Sequence, residues 1–220
     1  MGRPRTNDAA VRERLIACAT EMFATRPQES VTVRALATAA GTSTAAVYTL
    51  FQGKDGLIRE VRDQAVAGLF RDLAAVPVSE AALEDLYALA AAYRLWGREH
   101  RHLYTVLFGG AQSFVPSARV GDRDPVRPLV AAIDRAVVGH ILAGDTTQIA
   151  VSLWVALHGL VTLELAGSLD GAVAETAFRS TIDAVLRGWA TPAAFAALRR
   201  TDPALYGRCL RAVPPGAAGQ

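Results

Sequence analysis

Apolar residues recur every three or four positions along almost the whole chain and strand-like alternation is absent, which confines this sequence to an all-α fold. Val11, Leu15, Ala19, Met22 and Phe23 form one stripe, and Val33, Leu36, Ala37 and Ala40 form another. The spacing predicts further helices over 54–75, 80–108, 126–142, 146–167 and 172–190, punctuated by Pro77, Gly109-Gly110, Pro116, Pro125, Pro128, Gly144 and Gly167. Glu99 to Arg101 is a candidate break in the longest of them. The segment 109–128 reads as a surface loop. An apolar stretch at 192–213 reads as one short helix or two, split at Asp202-Pro203, ahead of a frayed tail at 214–220. The expectation is about nine or ten helices.

The 220 residues are 51% apolar and 20% charged, the balance of an ordered globular protein. No stretch approaches the roughly eighteen uninterrupted apolar residues of a membrane span, and the amino terminus lacks the apolar core of a signal peptide. A cytoplasmic location is expected. Cys18 and Cys209 stand far apart in unrelated contexts and suggest neither a metal pair nor a disulfide framework. Residues 1–64 carry nine Arg/Lys against seven Asp/Glu, 65–190 carry ten against thirteen, and 191–220 carry four against one. Basic ends around an acidic middle are compatible with a nucleic-acid contact at one end.

Between Thr32 and Phe51 the pattern is helix, tight turn, helix. Gly41 can take the left-handed conformation that ends one helix, and Ser43 or Thr44 can cap the next. In the second helix Val47, Leu50 and Phe51 share one face, leaving Thr44, Ala45, Tyr48 and Thr49 on the other. That outer face is short side chains plus one tyrosine. A helix entering a groove about 12 Å wide must carry little bulk, and Thr and Ala can approach base edges and thymine methyl groups. Tyr48 can offer its hydroxyl to a phosphate, and Lys54 sets a cation beside the unpaired amides that open the following helix. The same pattern also fits a packed small-residue corner with solvated hydroxyls.

The run VRERLIACATEMFATRPQESVTVRALATAAGTSTAAVYTLFQGKDGLIREV resembles the amino-terminal DNA-binding domain of TetR family transcriptional regulators. The matching residues are Leu15 and Phe23, Thr32-Val33-Arg34 with Leu36-Ala37, Ala40-Gly41, then Val47-Tyr48, Phe51, Lys54 and Leu57. The resemblance implies that Arg34, Thr44, Ala45 and Thr49 can face bases, and that Ser43, Tyr48 and Lys54 can hold phosphates. Two positions depart from it: Thr44 stands where members often have a basic or amide residue, and Leu50 where they often have a histidine or other polar residue. The operator of a relative therefore cannot be transferred. Arg3 and Arg5, around Pro4, are either a minor-groove arm or a solvated tail.

Farther along, HRHLYTVLFGG and LWVALHGLVTLELAG are similar to the WHG-type ligand-binding domain of one branch of the same family, through Trp154, His158 and Gly159. The expected division is 1–54 for the helix-turn-helix domain, 55–213 for a ligand-binding and dimerisation domain, and 214–220 for the tail. Trp154 and His158, four apart, either line a pocket or pack as a tryptophan beside a satisfied histidine. Trp96, His100, Tyr104 and Phe108 stand at four-residue spacing and are either core or the facing wall of an apolar cavity. Glu164 is a buried anchor or a helix-end surface group. Small residues at Ala150, Ala156, Gly159, Ala166, Ala177, Ala184 and Gly188 suit close helix packing, in a four-helix homodimer interface or within one subunit.

The implied function is a DNA-binding regulator, a repressor that reads a palindromic double-stranded operator as a homodimer and is released by a small, largely apolar effector. The alternatives are an architectural or protein-interaction helix-turn-helix protein without ligand control and, less favoured, an enzyme. His100 and His102 diverge by about 200° on a helix and cannot share a metal. Ser43 and Ser113 lack a nucleophile's context, and no Gly-rich phosphate loop follows a strand. No cofactor and no metal are expected.

Overall fold

The computed structural model describes residues 5–109 and 124–194. The described residues form nine α-helices: α1 (Arg5–Thr25), α2 (Val33–Ala39), α3 (Thr44–Phe51), α4 (Lys54–Ala74), α5 (Ala82–Glu99), α6 (Arg101–Phe108), α7 (Arg127–Val138), α8 (Thr146–Leu165) and α9 (Gly171–Trp189). A 3-10 turn at Gln28–Ser30 precedes α2. The fold is all-α, as the periodicity requires. The segment 80–108 is two helices, divided at the candidate break between Glu99 and Arg101, where His100 leaves the helical region at φ −116° and ψ 44°. The 192–213 segment beyond residue 194, most of the 109–128 loop, the tail and Arg3 lie outside the described residues.

The chain divides into two compact units. Among the described residues, the first comprises those up to 67 together with 100–109, and the second comprises 68–99 and 124–194. The first unit therefore extends past residue 54 and includes α6, where the sequence pattern suggested a boundary at the start of α4.

In the first unit the core is Leu15, Ile16 and Ala19 of α1, Leu36 and Ala37 of α2, Val47 and Phe51 of α3, Leu57 and Val61 of α4, and Val106 of α6. The two stripes read from sequence meet here, and their burial stabilises the unit by roughly 25 cal/mol per Å² of apolar surface removed from water. The α2–α3 turn has the expected chemistry. Thr32 Oγ1 accepts from Ala35 N at 3.1 Å, and Ser43 Oγ accepts from Ala46 N at 3.2 Å. Gly41 sits at φ +61° and donates to Thr38 O, while Thr42 N donates to Ala37 O at 2.9 Å, so both carbonyls at the end of α2 are satisfied.

Two arginines of α1 add what periodicity does not reveal. Arg12 donates to Leu50 O at 3.3 Å, pairs with Glu60 at 2.6 Å and lies 4.7 Å from the Phe51 ring centre. Arg14 donates to Ala40 O at 3.2 Å. Each guanidinium thus serves carbonyls at the carboxyl end of one helix of the pair, where the helix dipole favours a cation.

In the second unit α5, α7, α8 and α9 pack around Leu86, Trp96, Ile133, Ile149, Leu153, Val161, Phe178 and Ile182. Arg94 is buried within it. Its Nε and Nη2 donate to Glu164 at 2.8 and 3.0 Å, its Nη1 donates to Glu175 at 2.7 Å, and its guanidinium lies 4.8 Å from the Phe178 ring. Of the two readings offered by sequence, Glu164 is nearer the anchor: its side chain is 15% exposed and holds the buried Arg94. After α7 the chain makes a short bridge between Leu142 and Ala190, with Ala143 N donating to Trp189 O at 2.7 Å. Gly144, at φ +143°, admits this close approach: a Cβ there would lie 2.7 Å from the Trp189 ring.

Candidate nucleic-acid interface

The short helix α3 is held from behind and left bare in front. Val47 and Phe51 are buried, whereas Thr44, Ala45, Tyr48 and Thr49 are all exposed, Tyr48 at 59%. The 3.6-residue period alone separates these faces once Ser43 fixes the first turn. Arg34 on α2 is exposed and makes no hydrogen bond or ion pair among the described residues. An unengaged guanidinium, three short side chains and a phenol form a surface able to approach bases while exposing a hydroxyl to the sugar-phosphate backbone.

The turn into α4 orients the rest. Gln52 caps α3 in the left-handed region at φ 61°, and Gly53 follows at φ +108°. A Cβ on Gly53 would stand 3.4 Å from the Tyr48 ring, so the ring rests on bare backbone. Ser43 Oγ, used as an acceptor by its cap, keeps its proton for another partner. Lys54 Nζ donates to Gln28 O at 3.1 Å. This ties Lys54 to the loop after α1, a contact the sequence reading did not contain, and leaves two of the ammonium's three donors for a phosphate.

The residues read as a ligand wall are placed differently. Trp96, His100, Tyr104 and Phe108 do not form one stripe: the helix breaks at His100, Trp96 belongs to the second unit, and the other three belong to the first. Trp96 is 1% exposed, and Tyr104 and Phe108 are buried with ring centres 4.7 Å apart. Four-residue spacing aligns side chains only where the helix is continuous.

Trp154 and His158 do share a face of α8. Their rings stack with centres 5.5 Å apart, both half-buried, and the Tyr93 hydroxyl lies 3.4 Å from His158 Nδ1. Burial lowers the His158 pKa and favours the neutral ring. Among the described residues no group of His, Cys, Asp and Glu could hold a metal ion.

Sequence reasoning missed Arg12, Arg14 and Arg94. For the first two no local signal exists, since a charged residue on an amphipathic helix looks like any solvated one. Arg94 had a signal: it is the lone charge in LYALAAAYRLW, as Glu164 is in LVTLELAG, and isolated opposite charges in apolar helices need a partner.

An all-α chain whose amino-terminal unit presents a capped, small-faced helix of this kind is a DNA-binding protein of the helix-turn-helix class. Residues 15–61 match the family model of bacterial regulatory proteins of the TetR family, and residues 86–188 match that of the tetracyclin repressor-like carboxy-terminal domain. The chain belongs to the TetR family of transcriptional regulators; it is not an enzyme. It is 27% identical over 200 residues, 84% of its length and 87% of the relative's, to an uncharacterized HTH-type transcriptional regulator of Mycobacterium tuberculosis. The fold is shared with the TetR family regulator PfmR from Thermus thermophilus, at a TM-score of 0.63 and 24% identity, over 82% of this chain and 97% of that one. A protein of unknown function from Rhodococcus sp. RHA1 matches at a TM-score of 0.65 and 25% identity, over 82% of this chain and 95% of its own.

Proposed function

We propose that this regulator is a cytoplasmic, homodimeric repressor that reads a palindromic operator and is released by a small, largely apolar molecule held by its second unit. The observation that carries the DNA contact is the exposure of Thr44, Ala45, Tyr48 and Thr49 on a helix whose opposite face is core. In this reading Arg34, Thr44, Ala45 and Thr49 face bases, and Ser43, Tyr48 and Lys54 hold phosphates. The domain roles follow: the first unit reads DNA, and the second binds the effector and the second copy.

Dimerisation is supported by α8 and α9. The helix α8 buries Ile149, Leu153, Leu157 and Val161, yet leaves Val151, Val155 and Leu163 about half exposed; on α9, Val173 is 60% exposed. Gly159 and Gly188 have open space above them. The helix α8 is long and apolar enough to cross a membrane, but its inner face is packed within a helical unit. A second copy of the chain is the partner that suits an apolar face interspersed with small residues. Two recognition helices must then match grooves about 34 Å apart. An effector that prefers the undocked geometry by about 1–3 kcal/mol lowers operator affinity some 5- to 150-fold.

The test is a band-shift titration on the DNA upstream of the chain's own gene, repeated across salt. Tyr48→Ala and Lys54→Ala should each weaken binding across sequences, with the salt slope for Lys54→Ala flatter by about one per subunit and the thermal midpoint hardly changed. Wild-type affinity and slope in both variants would remove these contacts from the interface.

A further inference from the structure

We infer that Arg12 of α1 is a positioning residue for DNA recognition: it bridges the two sides of the α3–α4 joint and so fixes the outer face of α3 at the angle that base contacts require. This rests on reading that face as the DNA contact, and adds a residue that touches no DNA yet decides how selectively the face reads it.

The joint is where the reading helix can move. α3 has only eight residues, too few to be stable as a helix by itself, so its direction comes from what holds its ends. Ser43 caps the first end. At the other, the chain passes into α4 through Gln52 at φ 61° and ψ 27° and Gly53 at φ +108°. Glycine takes such backbone freely, whereas a residue with a Cβ disfavours it, and glutamine lacks the short polar side chain that lets asparagine adopt it. A residue held there persists only where its surroundings fix it. Relaxation of Gln52 toward the right-handed region would change the angle between α3 and α4 and turn Tyr48 and Thr49 with it.

Arg12 holds both sides of this turn at once. Its Nη1 donates to Leu50 O at 3.3 Å and its guanidinium lies 4.7 Å from the Phe51 ring centre, both before Gln52, while its Nη2 meets Glu60 Oε2 at 2.6 Å on α4. One rigid, planar group makes both bonds, so α3 and α4 cannot shift apart without losing one of them. The charge of Arg12 is already matched by Glu60, whereas Arg34 has no partner among the described residues. A half-exposed pair of this kind adds little to stability. Its loss acts on recognition, because base contacts depend on the angle of α3 and the general attraction to phosphates does not.

The test uses the full-length protein, a duplex that it selects from a random-sequence pool, and a random duplex of equal length, with affinities read by band shift across salt. Arg12→Met and Glu60→Met should each lower the ratio of selected to random affinity by about tenfold, the cost of one lost base contact, at an unchanged salt slope. The thermal midpoint should fall by a few degrees at most. The two substitutions change the charge in opposite directions, so a general field effect moves their affinities oppositely, and only a lost position lowers the ratio in both. The double variant should lose no more than either alone. Gln52→Asn keeps the amide and accepts the left-handed region more readily, and should restore about fivefold of the ratio lost in Arg12→Met. An unchanged ratio in Glu60→Met would overturn the role. So would an equal loss on both duplexes in Arg12→Met with a salt slope flatter by about one per subunit, which would make Arg12 a phosphate ligand. Tyr48→Ala separates the two readings. If it changes neither affinity, the DNA-facing role of α3 fails and the role of Arg12 with it; if it weakens binding while Arg12→Met leaves the ratio unchanged, only the role of Arg12 fails.

Discussion

The two units use charge in opposite ways. In the first, Arg12 and Arg14 reach in from the edge to the last carbonyls of α3 and α2, and the paired side chains stay partly in water, Arg12 at 37% and Glu60 at 30%. In the second, Arg94 at 7% is enclosed with Glu164 at 15%, linking α5 to α8 and, through Glu175, to α9. The contrast separates two requirements. A reading helix needs its ends fixed and its outer face empty, which capping from behind achieves at little desolvation cost. A bundle of Ala- and Leu-rich helices has many near-equivalent packings, and a buried ion pair selects one register because every other leaves a charge unmatched.

Breaking the buried network should have the largest effect. Arg94→Met leaves Glu164 with Arg98 at 3.5 Å and Glu175 with Arg179 at 2.8 Å, so only the enclosed pairing is lost, and should destabilise the protein by about 3 kcal/mol, the lower end for a broken buried pair, in urea unfolding. A loss below about 1 kcal/mol would mean that the network sets no register. Next comes the bridge after α7. Gly144→Val forces a branched side chain to φ +143° against the Trp189 ring and should cost about 1–3 kcal/mol. The contrast between units is sharpened by Arg12→Met, which removes a half-exposed pair and should cost no more than about 1 kcal/mol. If Arg12→Met costs as much as Arg94→Met, the distinction drawn between edge and interior fails.

The smallest expected effect is a pH dependence confined to the second unit. Burial holds the His158 pKa below its unfolded value, so the unfolded chain binds a proton that the folded one resists. This contribution is fully present above about pH 6.5 and is lost as pH falls through the folded pKa. Between about pH 7.5 and 5.5 the unfolding midpoint of the wild type should fall more than that of His158→Gln, and parallel curves would show the ring to be indifferent to its surroundings.

Much of the first unit was legible because its information is local. A glycine at the left-handed position, a serine at the cap and Val47 and Phe51 four apart each act within one or two turns, and each appears in the structure as the pattern predicts. The ligand wall was illegible for the converse reason. Trp96, His100, Tyr104 and Phe108 fit a single stripe only if the helix runs through His100; the sequence offers Glu99 to Arg101 as a break, but which unit each half then joins depends on packing that no local pattern records.

The amino-acid sequence by itself determined that the chain is helical throughout, where its helices turn, and which face of α3 is spared from the core, because helix period and capping are short-range effects. Tertiary structure alone decided that α6 belongs with the first unit, that Arg94 finds Glu164 and Glu175, and that Arg12 joins Leu50 to Glu60. These depend on which distant surfaces meet, and burial, which makes a charge matter, exists only after they have met.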